Sequence, residues 1–423
     1  MQQITFITNL ANNTLEHAKL LLQSLRTNLD SDEHQILIFI DSDNEGTLDY
    51  LLSIKDTFKD LGIIKNNLNV PVGYARNKTI LTEYAKHDII SYLQSDMVVG
   101  PHYDTDILKH VKRGRILSST RVEPPLHGES PVTVTRNFGL HPDEFNFNDW
   151  NSFSMSIKKD ELVDFFFAPI TYYKEDWLRL GGYDTVFRRA REDSDFVQRC
   201  LHADIELVQT FSANVYHFTC VSSRGKSWFD KSNDQAQQRA AIQSQADSIE
   251  LRRFIRKWGA FNHGEHKLYK LDVDLVAVNY RNLQSIYNVE PFFTRVWLGK
   301  EEHKLELVSA YVSQHGPANY LLNFSDEQWD TYKHLYRLED YNSIFHVGNP
   351  DSYSVKVTMD FGRIENTNEF LKNIQNLYYM LKDCEQGQYE LDGIFIDVND
   401  IRILPTPVRA ENPDFDYSLL TVY

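Results

Sequence analysis

The segment Ile36–Ile40 reads Ile-Leu-Ile-Phe-Ile and runs straight into Asp41-Ser42-Asp43-Asn44. An unbroken apolar run of this length has no polar face to offer to water. A strand of this kind must be covered on both sides, which is the habit of parallel sheets flanked by helices. The flanking sequence agrees. Ile4–Thr8 is another short apolar run. Between the two runs, Leu15, Ala18, Leu21, Leu22 and Leu25 recur at three- and four-residue spacing, which predicts one face of a helix over 14–29. Leu48–Leu61 and Gly73–Lys86 read as further helices, and Asp88–Leu93 as a third strand. Strand–helix–strand alternation predicts an α/β fold with a mostly parallel sheet and right-handed crossovers. Ligands of such sheets bind beyond the carboxyl ends of the strands, and polar residues gather at those ends here.

Further along, 102–160 is rich in loops, with Pro124-Pro125, Pro131 and Pro142. Ala168–Tyr183 and Glu192–His202 resume ordered structure. Ser232–Trp258 has few helix breakers and predicts a long helix, which Gly259–Gly264 would end. A boundary is therefore expected near 260, giving a first domain over 1–260 and a second over 265–423. The second is expected to be α+β. It has strand-like runs at Val273–Val278, Leu305–Val312, Tyr353–Met359 and Gly393–Val398, and a helix near Asn368–Leu381.

The net charge of −16 disfavours nucleic acid, which is bound through clustered basic groups. It suits a site that recruits a divalent cation. Three cysteines without a CxxC pair predict neither a disulfide framework nor structural zinc. No signal peptide or apolar stretch of about 20 residues is visible, so a cytoplasmic protein is expected, free or peripheral to a membrane. The first glycine is Gly46, so no GxGxxG follows the first strand. Gly225-Lys226-Ser227 lacks the P-loop glycine, because Cys220 stands in its place.

Three clusters carry chemistry. Gln94-Ser95-Asp96 follows the apolar run ending at Leu93. A carboxylate there either caps a turn or holds a hard cation together with substrate phosphates. Glu192-Asp193-Ser194-Asp195 packs three acids into four residues. They either complement a helix N-terminus or form a reactive group. His217, at the end of Val215-Tyr216-His217, is either a hydrogen-bonded structural histidine or a metal ligand.

Taken in order, these pieces resemble glycosyltransferase family 2, an inverting family of the GT-A fold, over about residues 1–230. The resemblance rests on the opening strand followed by Asn13-Thr14 and Ser24-Leu25, on Ile40-Asp41, and on Gly73-Tyr74-Ala75-Arg76-Asn77. It continues through Asp88–Asp96, Trp177-Leu178-Arg179-Leu180-Gly181-Gly182-Tyr183-Asp184, Glu192-Asp193-Ser194-Asp195 and His217. Gln94 stands where the family's DxD motif has its first acid. Ser42 stands where a second acid often follows Asp41.

The resemblance implies a GT-A catalytic domain that moves a sugar from a nucleoside-diphosphate sugar, UDP favoured, to a hydroxyl of a glycan, lipid-linked or protein acceptor. It places Thr8, Asn13, Asp41, Asp43, Gly73, Arg76, Asn77, Gln94 and Ser95 around the donor. It makes Asp96 and His217 the ligands of Mn²⁺ or Mg²⁺. It makes Asp193 the general base, with Glu192 and Asp195 as alternates. Tyr183, Trp150 and Phe165–Phe167 are candidates to stack on an acceptor sugar, with core packing the stronger alternative for Phe165–Phe167. The second domain is expected to bind the acceptor or to mediate assembly, self-association included. The rival readings are a nucleotidyltransferase, which needs a Gly-rich loop that this chain lacks, a decayed domain that only binds sugar, nucleotide or a protein, and an enzyme that glycosylates a nucleic-acid base, for which Arg188-Arg189 and Arg191 are the dense basic candidates.

Overall fold

The structure, a computed structural model, describes residues 2–43, 45–68, 70–126, 130–188, 190–219, 247–261, 266–313, 325–363, 379–391 and 393–423. The chain forms two compact units. One comprises Met1–Thr185, Arg199–Gln243 and Arg409–Tyr423; the other comprises Val186–Gln198 and Ser244–Val408. The units do not follow a single cut in the chain, because Val186–Gln198 belongs to the second and Arg409–Tyr423 returns to the first.

The first unit is built on a mixed, mostly parallel sheet of eleven strands. Strands β1 (Ile4–Leu10), β2 (Gln35–Ile40), β3 (Leu61–Asn66) and β4 (Ile89–Tyr92) lie in the order β3-β2-β1-β4 and run parallel. Every residue of β2 is buried, as its sequence requires. Helix α1 (Leu15–Asn28) buries Ala18, Leu21, Leu22 and Leu25 on one face. Its Ser24 and Asn28 hydrogen-bond the backbone of Val99, which ties it to β5 (Met97–Val99). Helix α2 (Thr47–Ile54) is shorter than expected and is followed by β3. The sequence reading missed β3, because Leu-Gly-Ile-Ile is too short for periodicity to tell strand from helix. Helix α3 covers Tyr74–Tyr84.

Beyond β4 the order continues through β9 (Ile170–Tyr173), β6 (Arg115–Glu123), β10 (Glu206–His217) and β5. Strand β9 is antiparallel to both neighbours, β6 and β10 are parallel, and β5 returns antiparallel to β10. Strands β7 (Thr133–Thr135) and β8 (Leu162–Asp164) pair with β6 and β10. Helices α4 (Tyr103–Leu108), α5 (Phe147–Ile157) and α6 (Lys174–Arg179) also belong to this unit. The boundary between units falls inside α7 (Glu192–His202).

The second unit contains a helix over 247–258 (α8) and a six-stranded sheet in the order β13-β12-β11-β14-β16-β15. Strands β11 (Val273–Val278), β12 (Arg295–Leu298), β13 (Phe345–Val347) and β14 (Val355–Asp360) run parallel. Strands β15 (Gly387–Leu391) and β16 (Ile394–Val398) form an antiparallel ribbon beside them. One sheet face packs on Ile286 and Val289 of α9 (Leu283–Val289) and on Leu307 and Tyr311 of α10 (Glu301–Ser313). The expected strand at Leu305–Val312 is thus part of α10. Its apolar residues alternate by chance: Leu307 and Tyr311 are buried one helical turn apart, while Leu305 and Val312 are 60% and 54% exposed. Helix α11 (Asp326–Tyr332) follows. Within the expected helices, 232–246 and most of 368–381 lie outside the described residues, as do Cys220 and Gly225-Lys226-Ser227. Among the described residues, no helix is long and apolar enough to cross a membrane.

Candidate active site

Strand register assembles the central cluster. His217 is the last residue of β10 and pairs with Met97, the first of β5. Asp96 therefore sits beside His217, and its carbonyl accepts from the Phe218 amide. On the other side of β10, Tyr216 pairs with Val122, so Glu123 at the end of β6 also reaches His217. The distances are 2.8 Å from His217 Nδ1 to Glu123 Oε1 and 3.6 Å from His217 Nε2 to Asp96 Oδ1. Arg121 Nη1 approaches Glu123 at 3.1 Å. Tyr216 and Phe218 bury their rings against Phe138 and Trp150, so the strand end that carries His217 is packed on both sides of it. Glu123 was not found from sequence. A strand ending in one acid is common, and only the pairing of β6 with β10 brings it to the histidine.

Asp41 organises a second group. It is 8% exposed. Its Oδ1 accepts from the Val72 amide at 2.7 Å and from Asn66, and its Oδ2 accepts from the Gly73 amide and from Asn77 at 3.0 Å. All four partners are uncharged. Burial dominates and raises the Asp41 pKa above the ordinary carboxylate value. Gly73 precedes α3 at φ +97°, a conformation that favours glycine. The expected donor residues Asp41, Gly73 and Asn77 are thus brought together, with Asp41 bonded to the chain. Buried oxygens of Asn77 (Oδ1), Thr8 (Oγ1) and Gln94 (Oε1) have no hydrogen-bond partner among the described residues. Ser95 is buried. Asp43 accepts from the amides of Glu45, Thr47 and Leu48 and so holds the first turn of α2. Burial raises its pKa, but those donors outweigh it and the net shift is downward. Asn13 is exposed at φ +66°, and its amide donates to Glu45.

Arg76 is placed against the far end of the chain. Its Nη1 donates to the Pro413 carbonyl at 2.9 Å and its guanidinium lies 5.5 Å from the Phe415 ring. Lys78 is fully buried, with Nζ 4.3 Å and 4.1 Å from the ring centres of Tyr92 and Tyr183. The expected sugar-stacking role of Trp150 is corrected: it is 0% exposed in the aromatic core. Tyr183 is buried as well. Phe167, for which core packing is the stronger expectation, is instead exposed at 37%, and Arg121 lies 3.9 Å over it. A run of three Phe reads as core on composition alone, and only the backbone path decides which ring turns outward.

In the second unit, α7 begins with Glu192, Asp193 and Asp195. Asp195 is fully buried and binds Lys257 at 2.6 Å and the Trp258 indole at 2.9 Å. Glu192 is also buried. Asp193 is half-buried, and its Oδ1 accepts from the amide and hydroxyl of the next residue, Ser194. The structure thus gives the three acids of the motif different surroundings.

Among the described residues no group of three or more His, Cys, Asp and Glu side chains forms a metal cage. The donor set nevertheless fits a hard divalent cation that keeps sites for phosphate oxygens, since such ions need only one or two protein ligands. Asp96 offers an oxygen, and His217 presents Nε2 toward it while Glu123 holds the other ring nitrogen. A carboxylate behind a metal-binding histidine fixes its tautomer and ring orientation.

No protein-family model and no curated protein matches the sequence. Part of its structure is similar to solved structures, glycosyltransferases among them. S. aureus TarS is 12% identical, with a TM-score of 0.38 over 51% of this chain and 36% of that one. GalNAc-T7 with UDP, GalNAc and Mn²⁺ is 13% identical, with a TM-score of 0.40 over 51% of this chain and 44% of that one. Mannosyltransferase PcManGT from Pyrobaculum calidifontis, in complex with GDP-Man and Mn²⁺, is 13% identical, with a TM-score of 0.36 over 51% of this chain and 56% of that one. This chain thus spans less than half the length of the first two.

Proposed function

We propose that the chain is an inverting glycosyltransferase. It would transfer a sugar from a nucleoside-diphosphate sugar, UDP-linked by preference, to a hydroxyl of a glycan, lipid-linked or protein acceptor. The observation that carries the reading is the Asp96–His217–Glu123 cluster at the strand ends of a sheet whose β2 closes on the Asp41-bound turn. Asp96 and His217 would hold Mn²⁺ or Mg²⁺, with Glu123 orienting His217. A bound divalent cation neutralises charge developing on the leaving diphosphate. The unpartnered oxygens of Asn77, Thr8 and Gln94 suit hydrogen-bond donors of a nucleoside, such as ribose hydroxyls. Asp41 would shape the donor loop, because its own oxygens are occupied. Asp193 would accept the proton of the acceptor hydroxyl as that oxygen attacks the face opposite the diphosphate. Of the three acids in its motif, it is the one that is neither buried nor ion-paired among the described residues.

Calorimetric titration with UDP and GDP, with and without Mn²⁺, tests the donor site. One nucleotide is expected to bind. Its affinity should fall about tenfold or more without the cation and in Asp96→Asn, the loss typical of a removed charged contact. A protein that binds neither nucleotide is not this enzyme.

A further inference from the structure

The segment 409–423 lies far from the site motifs in sequence, yet it touches two of them. Its backbone joins the sheet through β17 (Leu420–Val422), which pairs antiparallel with β3. Ahead of that strand, three residues meet the first motif, Gly73–Asn77, and its helix. Pro413 accepts from Arg76, Phe415 lies under the Arg76 guanidinium, and the Tyr417 hydroxyl donates to Glu83 of α3. Arg76 is only 7% exposed in this setting.

The same segment grips the second motif, Gly181-Gly182-Tyr183-Asp184. The Ala410 amide donates to the Leu180 carbonyl at 2.9 Å. Asn412 uses both ends of its amide there. Nδ2 donates to the carbonyls of Gly181 at 3.0 Å and Tyr183 at 2.8 Å, and Oδ1 accepts from the Thr185 amide at 2.8 Å. The glycines fit this arrangement. A Cβ on Gly181 would stand 2.5 Å from the Ala410 carbonyl oxygen, and one on Gly182 would stand 2.1 Å from Thr79 Oγ1 of α3. Both glycines have positive φ, so a side chain at either is disfavoured by backbone conformation as well. The first glycine leaves room for the segment, and the second for the helix that carries Arg76.

The geometry points to residues 409–423 as a clasp that sets two site loops from one piece of chain. Asn412 is the positioning residue for the 181–185 turn. Pro413 and Phe415 position Arg76 and the start of α3. The functional side of the inference rests on the glycosyltransferase reading, in which the first loop meets the donor and the second meets the acceptor. Holding both from one segment keeps donor and acceptor in register, and pre-set loops bind more tightly because less order is lost on binding.

Hydrogen exchange on the full chain tests the clasp. Asn412→Ala removes hydrogen bonds to the 181–185 turn, and Phe415→Ala removes the ring beside Arg76 and Tyr417. If the segment acts as one body, each variant speeds exchange at both 72–78 and 180–186 by about tenfold or more, with amides of β2 unchanged. If each variant loosens only the loop it touches, the segment makes two separate contacts and the clasp is refuted. Uniform loosening of the whole unit refutes it too, since that is a packing role alone. Should Phe415→Ala not fold, Phe415→Leu keeps the apolar bulk and loses the ring under the guanidinium, with the same expectation. UDP titration of the same proteins separates the two ideas. Wild-type protein that binds neither UDP nor GDP removes the enzyme reading and leaves the clasp to be decided by exchange. Where UDP binds the wild type, Phe415→Ala should weaken it about tenfold, as expected when the competent loop is less populated.

Discussion

In the first unit the parallel strands lie in the order β3-β2-β1-β4; in the second, β13-β12-β11-β14 repeats that order. Two acids of the first sheet and three of the second unit are held by different partners. In the first, Asp41 ends β2 among four uncharged donors, and Asp96 beyond β4 faces a histidine. In the second, Glu339 is met by Arg253 and Arg256, Glu290 by Arg252 and Arg256, and Asp274 by Arg295. An acid matched by an arginine inside the chain has its charge compensated there. An acid at a strand end without such a partner can answer charge that a ligand brings. Asp41 and Asp96 differ in this from Glu339, Glu290 and Asp274, whereas Glu123 of the first sheet does meet an arginine, Arg121.

The largest expected effect breaks or keeps this contrast inside one motif. Asp193→Asn should cut transfer by about 10²–10⁴-fold, the usual worth of a general base, with nucleotide binding retained. Asp195→Asn should instead lower the melting temperature, because Lys257 then loses its buried partner. If Asp195→Asn folds normally and loses transfer while Asp193→Asn keeps it, partner identity is no guide to role. The next effect is on stability. Arg256→Met strips Glu339 and Glu290 of a shared cation and should cost about 3–5 kcal/mol, as broken buried pairs do. Urea unfolding reads it, and UDP affinity of the folded protein should not change. Smaller again is Glu123→Gln. His217 keeps a hydrogen-bond partner but loses the charge behind it, so the Mn²⁺ needed for half-maximal UDP binding should rise about 10–100-fold.

Much of the first sheet was legible because its signals are local. Ile36–Ile40 announces a covered strand, and the Leu spacing of α1 announces a helix. Asp96, Asp193 and His217 stand out because each follows a pattern within a few residues. Glu123 and Asn412 carry no such local mark. Glu123 matters through the register of β6 on β10, and Asn412 through carbonyls some 230 residues earlier in the chain. Leu305–Val312 failed for the opposite reason. Its local alternation was clear, but burial of Leu307 and Tyr311 on a helical face decided the outcome.

The smallest effect concerns pH and gives the contrast a sign. Burial raises the pKa of Asp41. Between the unfolded value and this higher folded one, the folded state holds more proton than the unfolded chain. The contribution of Asp41 is therefore fully present below the unfolded pKa and is lost as pH rises through the folded value. Glu339 runs the other way. Burial pushes it up, but Arg256, Arg253 and Tyr341 outweigh burial and hold it well below the ordinary carboxylate range. Its contribution is present above the unfolded pKa and is lost as pH falls toward the folded one. Urea midpoints of the wild type, Asp41→Asn and Glu339→Gln at pH 4 and pH 7 separate the two. Asp41→Asn leaves amide hydrogens facing donors, so it should destabilise at both pH values, but less at pH 7, where it also removes the cost of a buried charge. Glu339→Gln should destabilise more at pH 7 than at pH 4, because it removes an anion that the arginines need when ionised. Equal slopes for the two variants would mean that uncharged donors and arginines hold a buried carboxylate in the same way, and the contrast between the two acids would lose its physical basis.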